Sequence, residues 1–364
     1  MIRKLIKLGL WSSIAAVAYF LYRTAFAYPE LVENVYSRSI YPVLSQIAGF
    51  VANLVPFSLG EVLLYLFAIS IVFFIVYIIK ALFLPTGMKL YGLIKRILSL
   101  VVTLCTIYSV FVFGWGLNYA RQPLATSMGL KTSRYTVSEL EDACKKLAAS
   151  TSKLRKLVDE DSNGVFRISS SKEEIMRSVT ELYDTVAPEY MNLGAKVRAK
   201  PVGTVNMLSV TDTTGIFCPF TSEPNINMQM PESFFPSTVA HEYAHLKGFA
   251  REDEANFISW YICRQSSNND FAYSGNLLAL THAMNALAKE SPKEHAKLYY
   301  ELDPGVVRDW DDNNAYWKKF ESVVTKQTSK IYDTYLKSNG VSDGKKSYGR
   351  MVDLIIALDK AGKL

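Results

Sequence analysis

The stretch VLLYLFAISIVFFIVYII, residues 62–79, contains 18 consecutive residues without a charged side chain. A second stretch, ILSLVVTLCTIYSVFVFGWGLNYA at 97–120, contains 24. An α-helix rises about 1.5 Å per residue, so roughly 20 apolar residues cross about 30 Å of hydrocarbon. The two stretches therefore predict transmembrane helices over about 62–82 and 97–118.

The N-terminal segment 8–22 is a weaker candidate, with 15 uncharged residues after a basic start. A basic start, a short apolar run and small residues after it also occur in cleaved secretory signals. The Lys7 side chain can extend toward the lipid headgroups, however, which lengthens the span at its N-terminal end. We therefore predict an uncleaved anchor over about 5–22, with a cleaved signal as the alternative.

Segment 40–59 is also apolar, but Pro42, Gly49 and Pro56 interrupt it. Such breaks are typical of a segment that lies in the membrane interface or re-enters the membrane, rather than of a full span. The sequence thus predicts a membrane domain over 1–118 with about three transmembrane helices.

The chain of 364 residues carries 40 Lys and Arg against 34 Asp and Glu, which gives a net charge of +6. The first 118 residues hold nine of the basic and three of the acidic side chains, so the remainder is net neutral. Phosphate binding needs a local surplus of cations, and we therefore expect no nucleic-acid partner for the C-terminal part.

The basic residues of the membrane domain also predict its orientation. They cluster before the first span, at Arg3, Lys4 and Lys7, and between the second and third spans, within 80–96. Cytoplasmic loops carry an excess of Lys and Arg. We therefore expect a multi-pass protein of the cell membrane, in contact with the lipid bilayer. Its N-terminus is expected in the cytoplasm, and everything after about residue 118 outside it.

Residues 119–135 show no periodicity and are predicted to be a linker. After them, Thr136 and Ser171 are each followed three residues later by Glu, the signature of a capped helix start. The pattern is helical again from Pro236 to the end. Residues 136–364 therefore predict one α+β, mostly helical domain.

Within 197–230, apolar residues such as Val205 alternate with Gly, Thr, Pro and Asn, which predicts two to four short strands. Segment 215–220 is either an edge strand that can pair with an extended peptide or a core strand. PNIN, residues 224–227, is interpreted as a turn.

The motif HEYAH at 241–245 is the strongest functional signal in the chain. On a helix, residues i and i+4 project side by side, so His241 and His245 can bind one Zn²⁺. Gly248 suits the position after the helix, where φ is positive. Glu242 can accept a proton from a water activated by the metal, which makes it the predicted catalytic residue. Two surface histidines without a metal are the alternative.

A catalytic zinc site needs a third protein ligand and one open position. A second helix is predicted to begin near Glu252, on a stripe of small side chains that permits close approach to the first helix. Glu252 is the preferred third ligand. Glu254 lies on another stripe and is the reserve candidate.

HExxH followed by E-x-x-A-N resembles the zincin metallopeptidases of the gluzincin type. The resemblance implies a zincin-like fold, with Glu252 as the third zinc ligand and Asn256 as a residue that orients a ligating His. The pattern departs from most gluzincins because only six residues separate His245 from Glu252. Arg251 occupies the position at which a metzincin has its ligand.

A zincin also stabilises the reacting oxyanion with a donor from a later helix. The residue types that suit this role, each of which has a structural role as the alternative, are Tyr299, Tyr300, Arg308, Arg350 and His282.

The chain further resembles an uncharacterised bacterial family whose members join N-terminal membrane spans to a C-terminal HExxH domain. The resemblance is carried by 215–227, 240–257 and SYGRMV at 347–352, and it covers most of the chain. It implies no substrate.

These features together predict a membrane-anchored, zinc-dependent hydrolase. The motif favours a metallopeptidase that cuts a peptide or protein substrate outside the membrane. Two alternatives stay open: a membrane sensor or scaffold with a structural zinc site, and a zinc-dependent cell-wall hydrolase.

Overall fold

A computed structural model describes residues 2–203 and 206–363 of the chain. Val205, which the sequence places among the strands, lies outside these residues, as do the side chains of Arg3, Lys4 and Lys7. The chain is mostly helical, with 71% of its residues in helices.

The N-terminal third consists of helices that lead toward and away from the C-terminal domain. Two of the described helices, Leu59–Ile79 (α4) and Thr86–Gly114 (α5), are long and apolar enough to cross a membrane. Only 0% and 11% of their most apolar windows are buried, which separates them from the core helices of a soluble domain. The elements are α1 Ile2–Ala25, α2 Pro29–Leu31, a π-helix Val32–Ile40, α3 Tyr41–Asn53, α4 Leu59–Ile79 and α5 Thr86–Gly114.

The bounds of the membrane helices differ from the predicted spans. Helix α4 begins three residues before the predicted 62–82, because the Ser58 side chain accepts a hydrogen bond from the Glu61 N–H and caps it. Helix α5 begins eleven residues before the predicted 97–118 and includes a polar first half. Helix α1 covers the predicted 5–22 and packs along α5, but it is not among the described helices that reach the length and hydropathy of a span.

Helix α3 occupies most of the segment predicted to be interfacial, and its two faces differ. Residues one turn apart, such as Tyr41 and Ser45, are buried against the C-terminal domain. The opposite face is apolar and exposed, with Ile47 63% and Phe50 69% accessible. Helix α3 is therefore amphipathic: the face that carries Tyr41 and Ser45 is covered by protein, and the opposite, apolar face is exposed.

The C-terminal domain packs its helices around a small sheet. The capping signatures are correct: Thr136 forms a capping box, and the Ser171 side chain accepts from the Glu174 N–H. Its helices are α6 Leu124–Ser127, α7 Val137–Arg155, α8 Lys172–Val186, α9 Met207–Val210, α10 Phe235–Leu246, α11 Glu252–Cys263, α12 Asn269–Glu290, α13 Pro292–Glu301, α14 Pro304–Lys318, α15 Val323–Ser338 and α16 Met351–Lys360. Short 3₁₀ helices span Gly116–Ala120, Glu189–Met191, Glu232–Phe234 and Gly344–Arg350.

Three strands form the sheet beside the predicted motif, in the order Lys200–Pro201 (β3), Glu223–Ile226 (β5) and Gly215–Cys218 (β4). Strand β4 is antiparallel to β5, with Gly215 opposite Ile226 and Cys218 opposite Glu223, and it forms an edge. The interpretation of 224–227 as a turn is wrong, because its first three residues belong to a fully buried strand. The strands are β1 Asp159–Glu160, β2 Phe166–Arg167, β3 Lys200–Pro201, β4 Gly215–Cys218 and β5 Glu223–Ile226.

The first part of the predicted linker 119–135 is packed into the core. Arg121 is 3% exposed and makes a bidentate ion pair with Glu33, at 2.8 Å to each carboxylate oxygen. The N–H of Leu124 donates to Glu254 Oε1 at 2.7 Å. This segment therefore joins the two parts of the chain through specific buried bonds rather than as a free connection.

Candidate metal centre

Helix α10 presents the two motif histidines. It begins at Phe235 with Pro236 in its first turn and ends at Leu246. Gly248 follows with φ +83°, in the left-handed region where a side chain would be strained. The turn is also crowded, since a Cβ on Gly248 would lie 3.0 Å from the Tyr41 ring.

Helix α11 begins at Glu252 and packs against α10, as the stripe of small residues predicts. The Ser259 hydroxyl donates to the Ser237 carbonyl at 2.6 Å, which fixes the two helices at close range. Glu252, one residue into α11, is thereby brought to the face of α10 that carries the histidines.

Three side chains meet at one point: His241, His245 and Glu252. We call these three residues the metal-type cluster. The two Nε2 atoms lie 3.1 Å apart. Glu252 Oε2 lies 3.2 Å from His241 Nε2 and 3.5 Å from His245 Nε2. Ligand atoms about 2.0–2.1 Å from a tetrahedral zinc ion are about 3.3 Å from one another. The spacing of the three donors therefore fits a zinc ion.

Neighbouring groups fix the orientation of two of these side chains. His245 Nδ1 lies 2.7 Å from the Phe249 carbonyl and donates to it, which leaves Nε2 free as an acceptor for a metal. The Tyr332 hydroxyl donates to Glu252 Oε1. Glu252 Oε2 is buried and contacts the two Nε2 atoms without a well-formed hydrogen bond among the described residues, as expected of an atom that can bind a cation together with them.

The cluster is strongly coupled electrostatically. Burial alone would raise the pKa of Glu252, but the neighbouring imidazoles of His245 and His241 hold it well below its usual value. Burial alone would lower the pKa of His245, but Glu252 raises it to about 9. The carboxylate is therefore ionised, and the pocket stabilises positive charge between the three side chains.

Glu242 lies beside the cluster under strand β4. Its side chain is buried, and a Cβ on Gly215 would lie 2.7 Å from its Cγ. Burial raises the pKa of Glu242, against the lowering effects of the histidines and of a hydrogen bond from the Phe217 N–H. A carboxylate with a raised pKa is suited to accept and return a proton near neutral pH.

Glu254 and Asn256 do not make the contacts that the sequence analysis expects of a reserve zinc ligand and of a residue that orients a histidine. Glu254 Oε1 accepts from Arg251 Nη2 and from the Leu124 N–H, each at 2.7 Å, and the described metal-type cluster does not include it. Asn256 is buried, but its Nδ2 has no partner among the described residues. The structure thus favours Glu252 over Glu254, and gives no support for Asn256 as the residue that orients a histidine.

The oxyanion candidates taken from the sequence are engaged elsewhere. Arg308 donates to the Gly164 carbonyl at 2.8 Å, and Arg350 pairs with Asp253 at 3.1 Å. Tyr299 stacks on Trp310. These partners hold the three side chains in structural contacts, and the oxyanion role stays a prediction for each of them. Tyr300 is 87% exposed.

His282 is the exception among these candidates. Burial, with a smaller contribution from the charge of His241, lowers its pKa to about 4. Its imidazole is therefore neutral and lies within electrostatic range of the metal-type cluster.

Tyrosines that the sequence analysis did not single out surround Glu252. The Tyr348 hydroxyl donates to Tyr332 Oη at 3.3 Å. Burial, followed by the charge of Glu252 and, more weakly, of Glu242, raises the pKa of Tyr348 well above its usual value. Tyr348 is thus protonated and within electrostatic range of both carboxylates, and its place within SYGRMV was the available signal.

Groups from the N-terminal third bind the end of the histidine helix. The Tyr41 hydroxyl donates to the Leu246 carbonyl at 2.8 Å, and the Trp115 indole N–H donates to the His245 carbonyl at 3.3 Å. Arg121 Nη1 donates to the Gly248 carbonyl at 2.9 Å. The first 121 residues therefore contribute directly to the frame of the metal-type cluster.

Comparison with protein families adds one result. A family model described as "Protein of unknown function (DUF3810)" matches residues 36–356. The chain belongs to this family. The DUF3810 match covers most of the chain and includes every residue of the cluster, which confirms the resemblance to an uncharacterised family. No curated protein and no solved structure matches, so the zincin likeness stays a prediction.

Proposed function

We propose that this protein is a membrane-anchored, zinc-dependent metallopeptidase. The observation that carries the proposal is the meeting of His241, His245 and Glu252, with ligand atoms within 4.8 Å of one another. A fourth side chain, Glu242, lies beside them with a buried Oε2 that has no partner among the described residues. Two histidines and a carboxylate are a typical ligand set of a catalytic zinc site with one open position.

The number of ligands favours catalysis over a structural zinc site. Structural zinc is almost always held by four protein ligands. Within 2–203 and 206–363, the cluster has three members. The alternative function, a sensor or scaffold with a structural zinc site, would also give the buried Glu242 carboxylate no role.

Bound zinc would supply Lewis-acid activation of a water molecule and of the scissile carbonyl. Glu242 would take a proton from the attacking water while the water oxygen bonds to the carbonyl carbon. The C–N bond would then break, and Glu242 would pass the proton to the departing amine. Tyr348, protonated and within electrostatic range of both carboxylates, is our candidate donor to the oxyanion.

The edge strand favours a peptide over a cell-wall glycan as substrate. Strand β4 lies at the edge of its sheet and contacts Glu242 through Gly215 and Phe217. An extended peptide can add to such an edge through main-chain hydrogen bonds, which places its carbonyls in register with the site. We keep the zinc-dependent cell-wall hydrolase as the alternative.

The membrane topology belongs to the same proposal. The C-terminal end of α1 meets the domain through a hydrogen bond from Tyr22 to Asn339 at 2.8 Å, and the residue after α5, Trp115, contacts the histidine helix. The start of α4 contacts β5 through Glu223. The domain therefore lies on one side of all three helices, and we propose that this side is outside the cytoplasm.

The deciding experiment compares the extracytoplasmic peptide pool of cells that carry the wild type or Glu242→Gln. The purified wild type should bind about one zinc, and the variant should keep the metal and lose turnover. Identical peptide pools from the two strains would refute the peptidase. Unfolding of the domain in His241→Ala would favour the structural-zinc reading.

Topology has a separate test. A reporter fused after residue 364 should be active only if it works outside the cytoplasm. Activity of a reporter that works only in the cytoplasm would refute the orientation while leaving the zinc chemistry untouched.

A further inference from the structure

The first turn of membrane helix α4 is bonded to the sheet that carries the edge strand. The Glu223 carboxylate accepts from the N–H groups of Leu59 at 3.2 Å and Gly60 at 2.8 Å. The Ser58 hydroxyl donates to Asn225 Oδ1 at 2.5 Å. Both partners belong to β5, so this strand forms the N-terminal cap of a helix that enters the membrane.

Strand β4 itself touches the same turn. A Cβ placed on Gly60 would lie 3.0 Å from Cys218 Cβ, so the end of β4 and the start of α4 are in direct contact. The other end of β4 is Gly215, against the Glu242 side chain. The edge strand therefore runs from the reacting centre to the start of a membrane helix, over about 10 Å at about 3.4 Å per residue.

The length of α4 fixes the depth of its first turn. The helix has 21 residues, none of them buried. At about 1.5 Å per residue it is about 31 Å long, which is about the thickness of the hydrocarbon layer. The whole helix is needed to cross, so Leu59 must lie at the membrane surface.

Several exposed side chains near this turn are apolar. Ile216 on β4 is 52% exposed, and Phe220 after it is 44% exposed. The open face of α3 adds Ile47 and Phe50. These side chains continue the apolar surface of the spans toward the edge strand, as is expected where protein meets lipid.

We infer that the substrate is a polypeptide anchored in the same membrane and cut within a few residues of its anchor; this rests on the proposed peptidase function. A chain paired with β4 would have its scissile bond at Glu242 and its continuation at the start of α4. An extended residue spans about 3.3–3.6 Å, so the cut lies on the order of three to six residues from the membrane surface. The reaction is the amide hydrolysis described above.

The test maps new N-termini in membrane and soluble fractions of cells that carry the wild type or Glu242→Gln. New termini that depend on Glu242 should fall in membrane-anchored proteins, within about six residues of the anchor. Glu242-dependent termini in soluble proteins, or far from anchors, would overturn this inference and leave the peptidase standing. If no terminus depends on Glu242, the proposed function itself fails, and the inference fails with it.

A reconstituted assay provides the matched control. The full-length protein in phospholipid vesicles is given the identified peptide in three forms: palmitoylated four residues from the cut, palmitoylated 20 residues from it, and unacylated. We expect the short-tethered form to be cut at least about tenfold faster than the other two, because only its cut can lie at the surface. Equal rates for the two palmitoylated forms would overturn the inference.

Discussion

Gly215→Ala should impair turnover without removing the metal. The new Cβ would lie 2.7 Å from Glu242 Cγ and 2.8 Å from its Oε1. Ordinary contact begins at 3.4 Å, so the carboxylate must move by about 0.7 Å. A misplacement of about 1 Å can cost about a hundredfold in rate. We therefore expect kcat to fall by about ten- to a hundredfold, or about 1.4–2.8 kcal/mol of activation free energy.

The assay measures zinc per chain by elemental analysis and initial rates on a peptide found through the Glu242→Gln comparison. Gly87→Ala is the control, since nothing lies within 4 Å of the added Cβ; it should match the wild type. Glu242→Gln gives the lower limit of activity. Full kcat in Gly215→Ala with a full complement of zinc would refute the placement of the base under β4. Loss of zinc in Gly215→Ala would refute the prediction that Glu242 can be displaced without disturbing the metal ligands.

Three further predictions follow from the buried polar contacts. Glu252→Gln should lower zinc affinity by more than the 10–100-fold typical of a residue that only orients a ligand, whereas Glu254→Gln should retain zinc. Competition with a chromogenic chelator measures both affinities, and equal losses in the two variants would contradict the ligand set. Tyr348→Phe should lower kcat by about 10²–10³-fold with zinc retained, and an unchanged kcat would exclude it as the oxyanion donor. Burial opposes ionisation of Glu33, but the hydrogen bonds and charge of Arg121 lower its pKa from 4.5. The ion pair therefore stabilises the folded state above pH 4.5, and this stabilisation is lost as the pH falls through the folded-state pKa. Thermal unfolding in detergent should show this acid loss in the wild type, while Glu33→Gln should lower stability by about 3–5 kcal/mol at neutral pH and flatten the acid limb; an unchanged limb would show that another group titrates.

Local patterns in the sequence predict the features that depend on neighbours in the chain. HEYAH forms one face of a helix, and the stripe from Glu252 to Ser259 packs against it, because both depend only on helical periodicity. Two spans and three strands near the motif follow from uncharged runs and from turn residues in the same way.

The features that the sequence does not reveal depend on distant partners. The Tyr332 hydroxyl and Glu252 are 80 positions apart, and Arg121 and Glu33 are 88 apart. Segment 119–135 has no periodicity and the composition of a polar loop, so the sequence predicts a linker there. Only the structure shows that its arginine, Arg121, is buried. Arg308 and Arg350 carry the right chemistry for an oxyanion donor, but only the packing shows that each is already paired.

The end of the histidine helix limits what can be studied in isolation. The carbonyls of His245, Leu246 and Gly248 each accept a hydrogen bond from Trp115, Tyr41 or Arg121. A soluble fragment that begins after residue 118 would keep Arg121 but lose Trp115 and Tyr41. The Leu246 carbonyl would lose the bond from Tyr41, at about 1–3 kcal/mol for a buried carbonyl left unpaired, whereas the His245 carbonyl would keep the Gly248 N–H as a donor. The N-terminal part is thus a structural component of the histidine helix rather than a tether that can be cut away.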